Sequence, residues 1–311
     1  MDVIKVEGGR KLHGTIRVEG AKNSALKLMA ATIMAPGVYH LSNVPYISDV
    51  RLMGKVLETL GASVVYDDHR LTIDTSSATE WVTPYELVSK MRASISILGP
   101  LITRFGKAVV SMPGGCNLGA RSIDQHLAGL SALGVEFSNE HGNIHAKVPH
   151  GLNGTIVTLD FPSVGATENV MMGAVTAKGR TIIENAAREP EIVDLANFLN
   201  KMGADIRDAG SHVIEIHGVE DLHTCDHTVV GDRIEAGTFL VAGALCADEG
   251  LTVTGFDPVH LDIPLSKMAL MGIPVERHER GVTVAKAPHL LPTDIQTLPF
   301  PGFPTDMQAQ F

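Results

Sequence analysis

The stretch Leu57-Glu-Thr-Leu-Gly61-Ala-Ser-Val64 decides the fold, because its pattern returns three more times along the chain. In it, an apolar helical pattern ends at a glycine and runs directly into β-branched residues. Glycine favours the left-handed conformation that closes a helix, and β-branched residues favour a strand. Gly134, Gly203 and Gly272 continue the series at spacings of 73, 69 and 69 residues. The sequence therefore predicts four structural repeats of about 70 residues each.

A second series of glycines recurs with about the same spacing as the first. Gly37, Gly106, Gly179 and Gly250 each follow an apolar stretch of helical length and precede a short strand-like run. After each glycine of the first series comes a hairpin, as at residues 67–70. Each repeat therefore reads βαβαββ with one largely buried helix, which predicts an α/β (α+β) protein whose repeats pack around common cores. Two similar strand-like segments, residues 14–18 and 154–158, are expected to open the first and third repeats.

The composition excludes several classes of protein. The chain has 311 residues and a formal net charge of -10, which suits two domains and argues against a broad nucleic-acid surface. Only 5% of the residues are aromatic, and no apolar run approaches the length of a membrane span. Its 3 cysteines make no disulfide framework, which predicts a reducing compartment. We therefore expect a cytoplasmic protein with no nucleic-acid and no membrane partner.

Cys116 lies in an unusual glycine-rich loop, residues 113–121, between a predicted strand and a predicted helix. A free cysteine is most often a small buried hydrophobe, and Cys246, inside an apolar helix, fits that interpretation. Cys116 fits it poorly, because glycines surround it. A neighbouring arginine and a helix start are instead typical of a reactive thiolate.

Two predicted helix starts carry candidate anion-binding groups. Ser122 and Gln125 predict a capping box at the first of them, so Arg121 and the helix start form one candidate site. Lys22 and Asn23 follow a glycine turn at the second. A lysine is unfavourable at the positive end of a helix dipole, which indicates an anionic ligand there, although a solvated surface lysine explains the pattern equally well.

The end of the chain carries another candidate residue. Asp306 lies in the first turn of a predicted helix that a capping box of Thr305 and Gln308 begins. An acid is favoured in a first helical turn for dipole reasons alone, so its position does not establish a role. A helix ending at Phe311 is too short to be stable, which predicts that the chain is a fragment of a longer protein.

One segment offers three potential zinc ligands at alternate positions, His223, Cys225 and His227. Imidazole and thiolate groups are common zinc ligands. A fourth ligand is missing, and a polar connection between repeats is the more common explanation. The chain also lacks a Walker loop and a Gly-x-Gly-x-x-Gly turn after a strand. We therefore predict no metal and no organic cofactor.

Seven motifs, in order along the whole chain, together indicate a family. They are Glu19-Gly-Ala-Lys-Asn-Ser24, Met91-Arg-Ala-Ser94, Pro113-Gly-Gly-Cys116, Ser163-Val-Gly-Ala-Thr-Glu168, Asn185-Ala-Ala-Arg-Glu-Pro-Glu191, Asp232-Arg-Ile-Glu235 and Phe303-Pro-Thr-Asp-Met-Gln-Ala-Gln310. With this set, the chain resembles the UDP-N-acetylglucosamine 1-carboxyvinyltransferase (MurA) family of enolpyruvyl transferases.

The resemblance implies a two-domain inside-out α/β barrel, with three βαβαββ repeats in each domain. By resemblance the first domain is residues 22–230. The second combines residues 1–21 with 231–311 and is only about half present. Six repeats of this length need roughly 420 residues, so roughly 110 are expected to be absent here.

The resemblance also implies a reaction and a set of site residues. Enolpyruvyl would pass from phosphoenolpyruvate to the 3-hydroxyl of UDP-N-acetylglucosamine with release of phosphate, the first committed step of peptidoglycan synthesis, which cell shape and division require. Asp306 would be the base, Cys116 the acid and the target of fosfomycin, and Lys22 and Arg121 the cations of the catalytic set. The implied substrate-binding residues are Lys22, Asn23, Arg92, Arg121, Ser122, Ile123, Asp124, Gln125, Ser163, Val164, Gly165 and Asp306.

The chain departs from the family pattern at two positions, and two other functions stay open. Ser122 stands where the family commonly has proline, and Ser48 replaces a lysine present in some members. A non-catalytic module that binds the nucleotide sugar is one alternative, because a truncated second domain would lack part of the site. The sister enzyme that acts on shikimate 3-phosphate is the other, although it lacks the Pro-Gly-Gly-Cys loop at residues 113–116.

Overall fold

The computed structural model of the protein describes residues 3–88, 92–112 and 123–311. The helices of this part are Lys22–Ala31 (α1), Ser48–Thr59 (α2), Tyr85–Val88 (α3), Leu98–Phe105 (α4), Asp124–Ala132 (α5), Val164–Ala174 (α6), Pro190–Lys201 (α7), Arg233–Cys246 (α8) and Asp262–Leu270 (α9). Short 3-10 turns cover Thr32–Met34, Arg92–Ile97, Pro258–Leu261 and Thr305–Met307.

The strands are short and numerous, as the repeat pattern predicts. They are Leu12–Arg17 (β1), Val38–Ser42 (β2), Ser63–Asp67 (β3), Arg70–Asp74 (β4), Lys107–Ser111 (β5), Glu136–Glu140 (β6), Asn143–Lys147 (β7), Ile156–Thr158 (β8), Arg180–Glu184 (β9), Asp205–Arg207 (β10), Val213–His217 (β11), Asp226–Thr228 (β12), Ala247–Thr254 (β13), Val275–His278 (β14) and Gly281–Val284 (β15). The predicted βαβαββ order is confirmed in three repeats, and in the second repeat a single bridge between Val82 and Val109 stands in for the opening strand.

The chain forms two compact units. Residues 20–230 make the larger, which we call the large unit, and residues 1–19 with 231–311 make the small unit. The large unit holds the sheets β12-β2-β4-β3, β5-β7-β6 and β10-β11-β9-β8, and the small unit holds the sheet β1-β13-β15-β14.

The first strand of a repeat can belong to the sheet of another repeat, as β1 and β12 show. The sequence places β1 at the start of the first repeat, yet β1 pairs in parallel with β13 of the fourth repeat. Its place beside β2 is taken by β12, which comes from the far end of the large unit. Residues 14–18 thus lead into α1 as expected, but the strand joins the sheet of the fourth repeat, since sheet membership depends on tertiary pairing that a local strand pattern does not encode.

Tight hairpins fix the register within each sheet. Asp68 and His69 join β3 to β4 with φ values of 40° and 60°, and His141 and Gly142 join β6 to β7 with φ values of 50° and 79°. Two consecutive residues with positive φ are the geometry of a two-residue hairpin turn whose twist matches that of the strands. The predicted hairpins at these positions are confirmed.

The two units differ in how they bury their apolar helices. In the large unit, residues 24–31 of α1 are all buried, as the apolar pattern predicts. In the small unit, α8 buries only part of its surface, and the side chain of Leu245 is 51% exposed. Cys246 is also exposed, so the prediction that it is a buried thiol was wrong. An apolar composition does not reveal how many faces of a helix its unit covers.

Candidate functional site

In the large unit, α5 and α6 run side by side in the same direction. A Cβ on Gly165 would lie 2.7 Å from Cε1 of the His126 ring, so the His126 side chain of α5 packs directly on α6 near the helix starts. Further along, Leu130 of α5 packs against Gly173 of α6, and the contacts therefore advance together. Both helices begin at the same end of the unit.

The helices α4 and α6 are also parallel. The backbone N–H of Gly99 donates to Oδ1 of Asn169 at 2.9 Å, and one turn later Oγ1 of Thr103 donates to the carbonyl of Met172, also at 2.9 Å. At the far end of α4, the Arg104 guanidinium donates to the carbonyl of Ile33 at 3.0 Å, in the 3-10 turn that follows α1. The ends of α1 and α4 therefore meet, and the 3-10 turn that leads into α4 packs against α1 as well. The helices α1, α4, α5 and α6 thus run in the same direction and begin at one end of the unit.

Most of the predicted substrate-binding residues of the large unit lie at these helix starts. Arg92 is the first residue of the 3-10 turn that leads into α4. The others begin the remaining three helices or directly precede them: Lys22 and Asn23 on α1, Ile123, Asp124 and Gln125 at α5, and Ser163, Val164 and Gly165 at α6. The structure thus places at one end of the unit residues as far apart in sequence as Lys22 and Gly165, which are 143 positions apart. Cys116, Arg121 and Ser122 lie outside the described residues.

Two of these residues have structural roles of their own. The hydroxyl of Ser163 accepts the backbone N–H of Ala166 at 3.3 Å and so caps α6. The side-chain carbonyl of Gln125 accepts the backbone N–H of Phe161 at 3.5 Å, which ties α5 to the segment that leads into α6. The helix α5 begins at Asp124 with Ile123 in the capping position, one residue later than a capping box of Ser122 and Gln125 requires.

The electrostatics of this end of the unit favour an anion. Each helix start presents the positive end of its dipole and backbone N–H groups that lack intrahelical partners. Lys22 adds a cation whose side chain stays 48% exposed. Its ammonium lies 3.6 Å from the carboxylate of Asp49, in the first turn of α2. Asp49 could not be singled out from the sequence, because an acid in a first helical turn is common without any partner.

Asp306 lies in the small unit, where it is exposed in the 3-10 turn Thr305–Met307. The predicted capping box is wrong, because Pro304 occupies the capping position and no side chain caps the turn. The turn is held instead by Met307, which is fully buried and packs against Gly237 of α8. Burial of its neighbour therefore fixes the backbone on which the Asp306 carboxylate stands.

The three candidate zinc ligands have other surroundings. Nε2 of His227 lies 2.8 Å from Oδ1 of Asp194, and the thiol of Cys225 points to the carbonyl of Phe198 at 3.8 Å. Burial raises the pKa of the Cys225 thiol to about 11, which disfavours the thiolate that a metal requires. Among the described residues, no group of three or more His, Cys, Asp or Glu side chains is arranged to hold a metal ion.

A buried ion pair links α1 to α6. Nζ of Lys27 lies 2.7 Å from Oε2 of Glu168, and the Glu168 side chain is completely buried. Apart from this contact with Lys27, neither carboxylate oxygen has a hydrogen-bond partner among the described residues. Burial raises the pKa of Glu168 to about 7, with Glu191 and Glu189 at the start of α7 adding to the rise and Lys27 opposing it.

This raised pKa predicts a pH-dependent stability. A folded-state pKa near 7, against an ordinary 4.5, means that the folded protein holds the Glu168 proton more tightly than the unfolded chain. The stability that it contributes is therefore complete below pH 4.5 and is lost as the pH rises through 7. We expect the free energy of unfolding to fall by about 3 kcal/mol over this range relative to a Lys27→Met/Glu168→Leu variant. Urea titrations at half-unit pH steps measure it, and parallel profiles of the two proteins would contradict it.

The comparisons with known proteins identify the family of the chain. The family model described as EPSP synthase (3-phosphoshikimate 1-carboxyvinyltransferase) matches residues 6–311. The chain belongs to the EPSP synthase family of enolpyruvyl transferases. Within this family, it is 50% identical over 313 aligned residues to UDP-N-acetylglucosamine 1-carboxyvinyltransferase 1 of Staphylococcus aureus strain MRSA252, covering 100% of this chain and 74% of that protein. The namesake in Staphylococcus epidermidis is 48% identical with the same coverage.

Solved structures support the same family. The enolpyruvyl transferase NikO from Streptomyces tendae superposes with a TM-score of 0.85 at 26% identity, over 97% of this chain and 72% of that one. An EPSP synthase from Acinetobacter baumannii superposes with a TM-score of 0.69 at 17% identity, over 90% of this chain and 66% of that one, which bears on the fold alone. The predicted family and enolpyruvyl transferase fold are confirmed. In the described part of the chain, no helix is both long and apolar enough to cross a membrane.

Proposed function

We propose that the protein transfers enolpyruvyl from phosphoenolpyruvate to the 3-hydroxyl of UDP-N-acetylglucosamine, the first committed step of peptidoglycan synthesis. The observation that carries the proposal is the set of parallel helix starts with Lys22, Asn23, Asp124 and Ser163 at one end of the large unit. The chain that carries these helix starts is about 50% identical in sequence to enzymes named for this reaction.

The chemistry of the helix starts suits the substrates. Phosphoenolpyruvate carries a phosphate and a carboxylate, and UDP-N-acetylglucosamine carries a diphosphate. Helix N-termini bind such groups through backbone N–H donors and the positive end of the dipole. The exposed ammonium of Lys22 adds a charge-assisted contact. We assign Lys22 and Arg121 to the anionic groups of phosphoenolpyruvate, and the residues at the starts of α5 and α6 to the nucleotide sugar.

The proposed reaction has two stages, addition and elimination. Asp306 takes the proton of the sugar 3-hydroxyl, the oxygen attacks C2 of phosphoenolpyruvate, and the methylene carbon gains a proton from the Cys116 thiol. The Cys116 thiolate then takes a proton back from the new methyl group, the bond between C2 and the phosphate oxygen breaks, and the double bond re-forms as phosphate departs with the proton that Asp306 had accepted. The residues of this chain supply every acid and base in the scheme, so no cofactor enters it.

The remaining assignments follow from the same resemblance. Residues 22–230 form the first domain, and residues 1–21 with 231–311 form part of the second. The small cysteine count and the phosphorylated substrates support a cytoplasmic enzyme with small molecules as its partners.

Phosphate release tests the proposal. The purified protein is incubated with phosphoenolpyruvate and either UDP-N-acetylglucosamine or shikimate 3-phosphate. We expect release with the nucleotide sugar only. Release with shikimate 3-phosphate alone would assign the sister reaction, and calorimetric binding of UDP-N-acetylglucosamine without any release would indicate a binding module.

Fosfomycin gives a prediction for Cys116. The thiolate attacks an epoxide carbon, the carbon–oxygen bond opens, and the resulting alkoxide takes a proton, which leaves a stable thioether. In the wild type we expect one adduct by intact mass spectrometry and loss of turnover. Cys116→Ser lowers turnover by itself because it removes the proposed acid, and it should form no adduct. Cys246→Ser, which removes an exposed thiol, is the matched control and should label like the wild type. Labelling that survives in Cys116→Ser would refute the assignment.

A further inference from the structure

The buried pair of Lys27 and Glu168 occupies a particular place relative to the proposed site. Lys27 lies five residues after Lys22 on α1, and Glu168 lies five residues after Ser163, which caps α6. At a rise of about 1.5 Å per residue, each charge is roughly 7.5 Å along its helix from the proposed substrate contacts. The pair therefore connects the two helices little more than one turn below the site.

Lys27 and Glu168 make a direct polar contact between two helices that share packing neighbours. The helix α1 packs against α2, α7 and the 3-10 turn before α4, while α6 packs against α4, α5, α7 and the same 3-10 turn. Lys27 and Glu168 reach across to each other, with a separation of 2.7 Å between their charged atoms. Both side chains are more than nine-tenths buried, so the contact is shielded from bulk solvent.

The energetics argue against a role in stability alone. Taking two charges out of water costs more than a pair without further hydrogen bonds recovers, and apolar residues of similar volume often stabilise a core better. Neither Glu168 oxygen receives such an additional hydrogen bond from the described residues. Glu189 and Glu191 face the same carboxylate with like charge. What the pair does supply is a fixed distance between two helices, because a charged contact is far more directional than an apolar one.

We propose that Lys27 and Glu168 are positioning residues that hold the start of α1, with Lys22 and Asn23, in register with the start of α6. The proposal rests on the proposed function, since the groups that it places are the proposed substrate contacts. Neither side chain touches substrate. Their loss shifts two helix starts and weakens binding of the nucleotide sugar, with a smaller effect on the chemical step.

A comparison of single and double variants tests this proposal. Lys27→Met and Glu168→Leu each leave one buried charge unpaired, so both should lower the melting temperature, whereas the double variant should recover it. In the recovered double variant we expect KM for UDP-N-acetylglucosamine to stay raised about tenfold, with kcat changed less than threefold. A stable double variant with the wild-type KM would overturn the proposal, because stability and substrate binding would then have returned together.

A second pair of variants covers the case in which the apolar double variant does not fold. Glu168→Asp keeps the charge but shortens the link by one methylene group, and we expect KM to rise about threefold. The control is Glu215→Asp, which shortens the exposed ion pair between Glu215 and Arg180 on neighbouring strands and should leave KM unchanged. An unchanged KM in Glu168→Asp would overturn the inference. Absence of turnover in the wild type would instead overturn the proposed function.

Discussion

Replacing Asp306 by asparagine is expected to lower kcat by about 10²- to 10⁴-fold while leaving the melting temperature unchanged. Asparagine has nearly the same shape but cannot accept the hydroxyl proton, and a positioned general base contributes a factor of this size. The fold should tolerate the change, because Asp306 is exposed and the turn is held by the buried Met307. Steady-state phosphate release and a thermal melt measure the two quantities.

The control for this prediction is Asp294→Asn, which neutralises another exposed acid of the small unit. It should retain wild-type kcat and melting temperature. A value of kcat for Asp306→Asn within threefold of the control would remove Asp306 from the role of base. A large fall in melting temperature would show instead that the carboxylate supports the fold.

Gly20→Ala is expected to have the largest effect on stability of any conservative substitution proposed here. A Cβ at this position would lie 1.8 Å from the backbone oxygen of Asn43, and the nearest other atoms are also fixed parts of the large unit. Because neither partner is a flexible side-chain end, the backbones must separate. We expect a loss of more than about 4 kcal/mol in the free energy of unfolding, in the range that marks exceptional mutations.

Two other glycines serve as controls, since a Cβ at either would meet nothing within 4 Å. Gly8→Ala also lacks positive φ and should change stability by less than about 0.5 kcal/mol. Gly142→Ala must adopt a φ of 79° in its hairpin and should cost about 1 kcal/mol, from conformation alone. Urea unfolding followed by circular dichroism gives the three values. A Gly20→Ala midpoint equal to that of Gly8→Ala would contradict the predicted clash.

Local features of the fold were predictable from the sequence, and pairing between distant segments was not. The glycine series and the turn at Asp68 and His69 depend on backbone conformations that few residues adopt, so they are visible in the residues themselves. The exchange of β1 and β12 depends on which edges meet in three dimensions. The exposure of Leu245 likewise depends on what its unit places against α8. Neither the strand pairing nor the exposure of Leu245 can be recognised from a local sequence pattern.

The same distinction between local pattern and tertiary packing applies to the residues of the candidate site. Lys22 and Ser163 could be found because they stand in motifs at helix starts. Asp49 and the contact of His126 with Gly165 could not, because each depends on the packing of two helices from different parts of the chain. The pair of Lys27 and Glu168 was hidden for a further reason. Charged residues within an apolar helical pattern are usually read as its solvated face.

The pairing of β1 with β13 determines the order in which the two units can fold during synthesis. β1 is among the first segments to leave the ribosome, but Leu12 pairs with Ala247, about 235 residues later. At roughly 5–20 residues per second, its partner appears only after about 10 to 50 s. Over most of that interval the intervening 211 residues of the large unit emerge as one continuous stretch and can begin to fold. Between the synthesis of β1 and that of β13, the N-terminal strand therefore has no partner strand and exposes its backbone hydrogen-bonding groups. A chaperone that binds extended segments could bind it in that state.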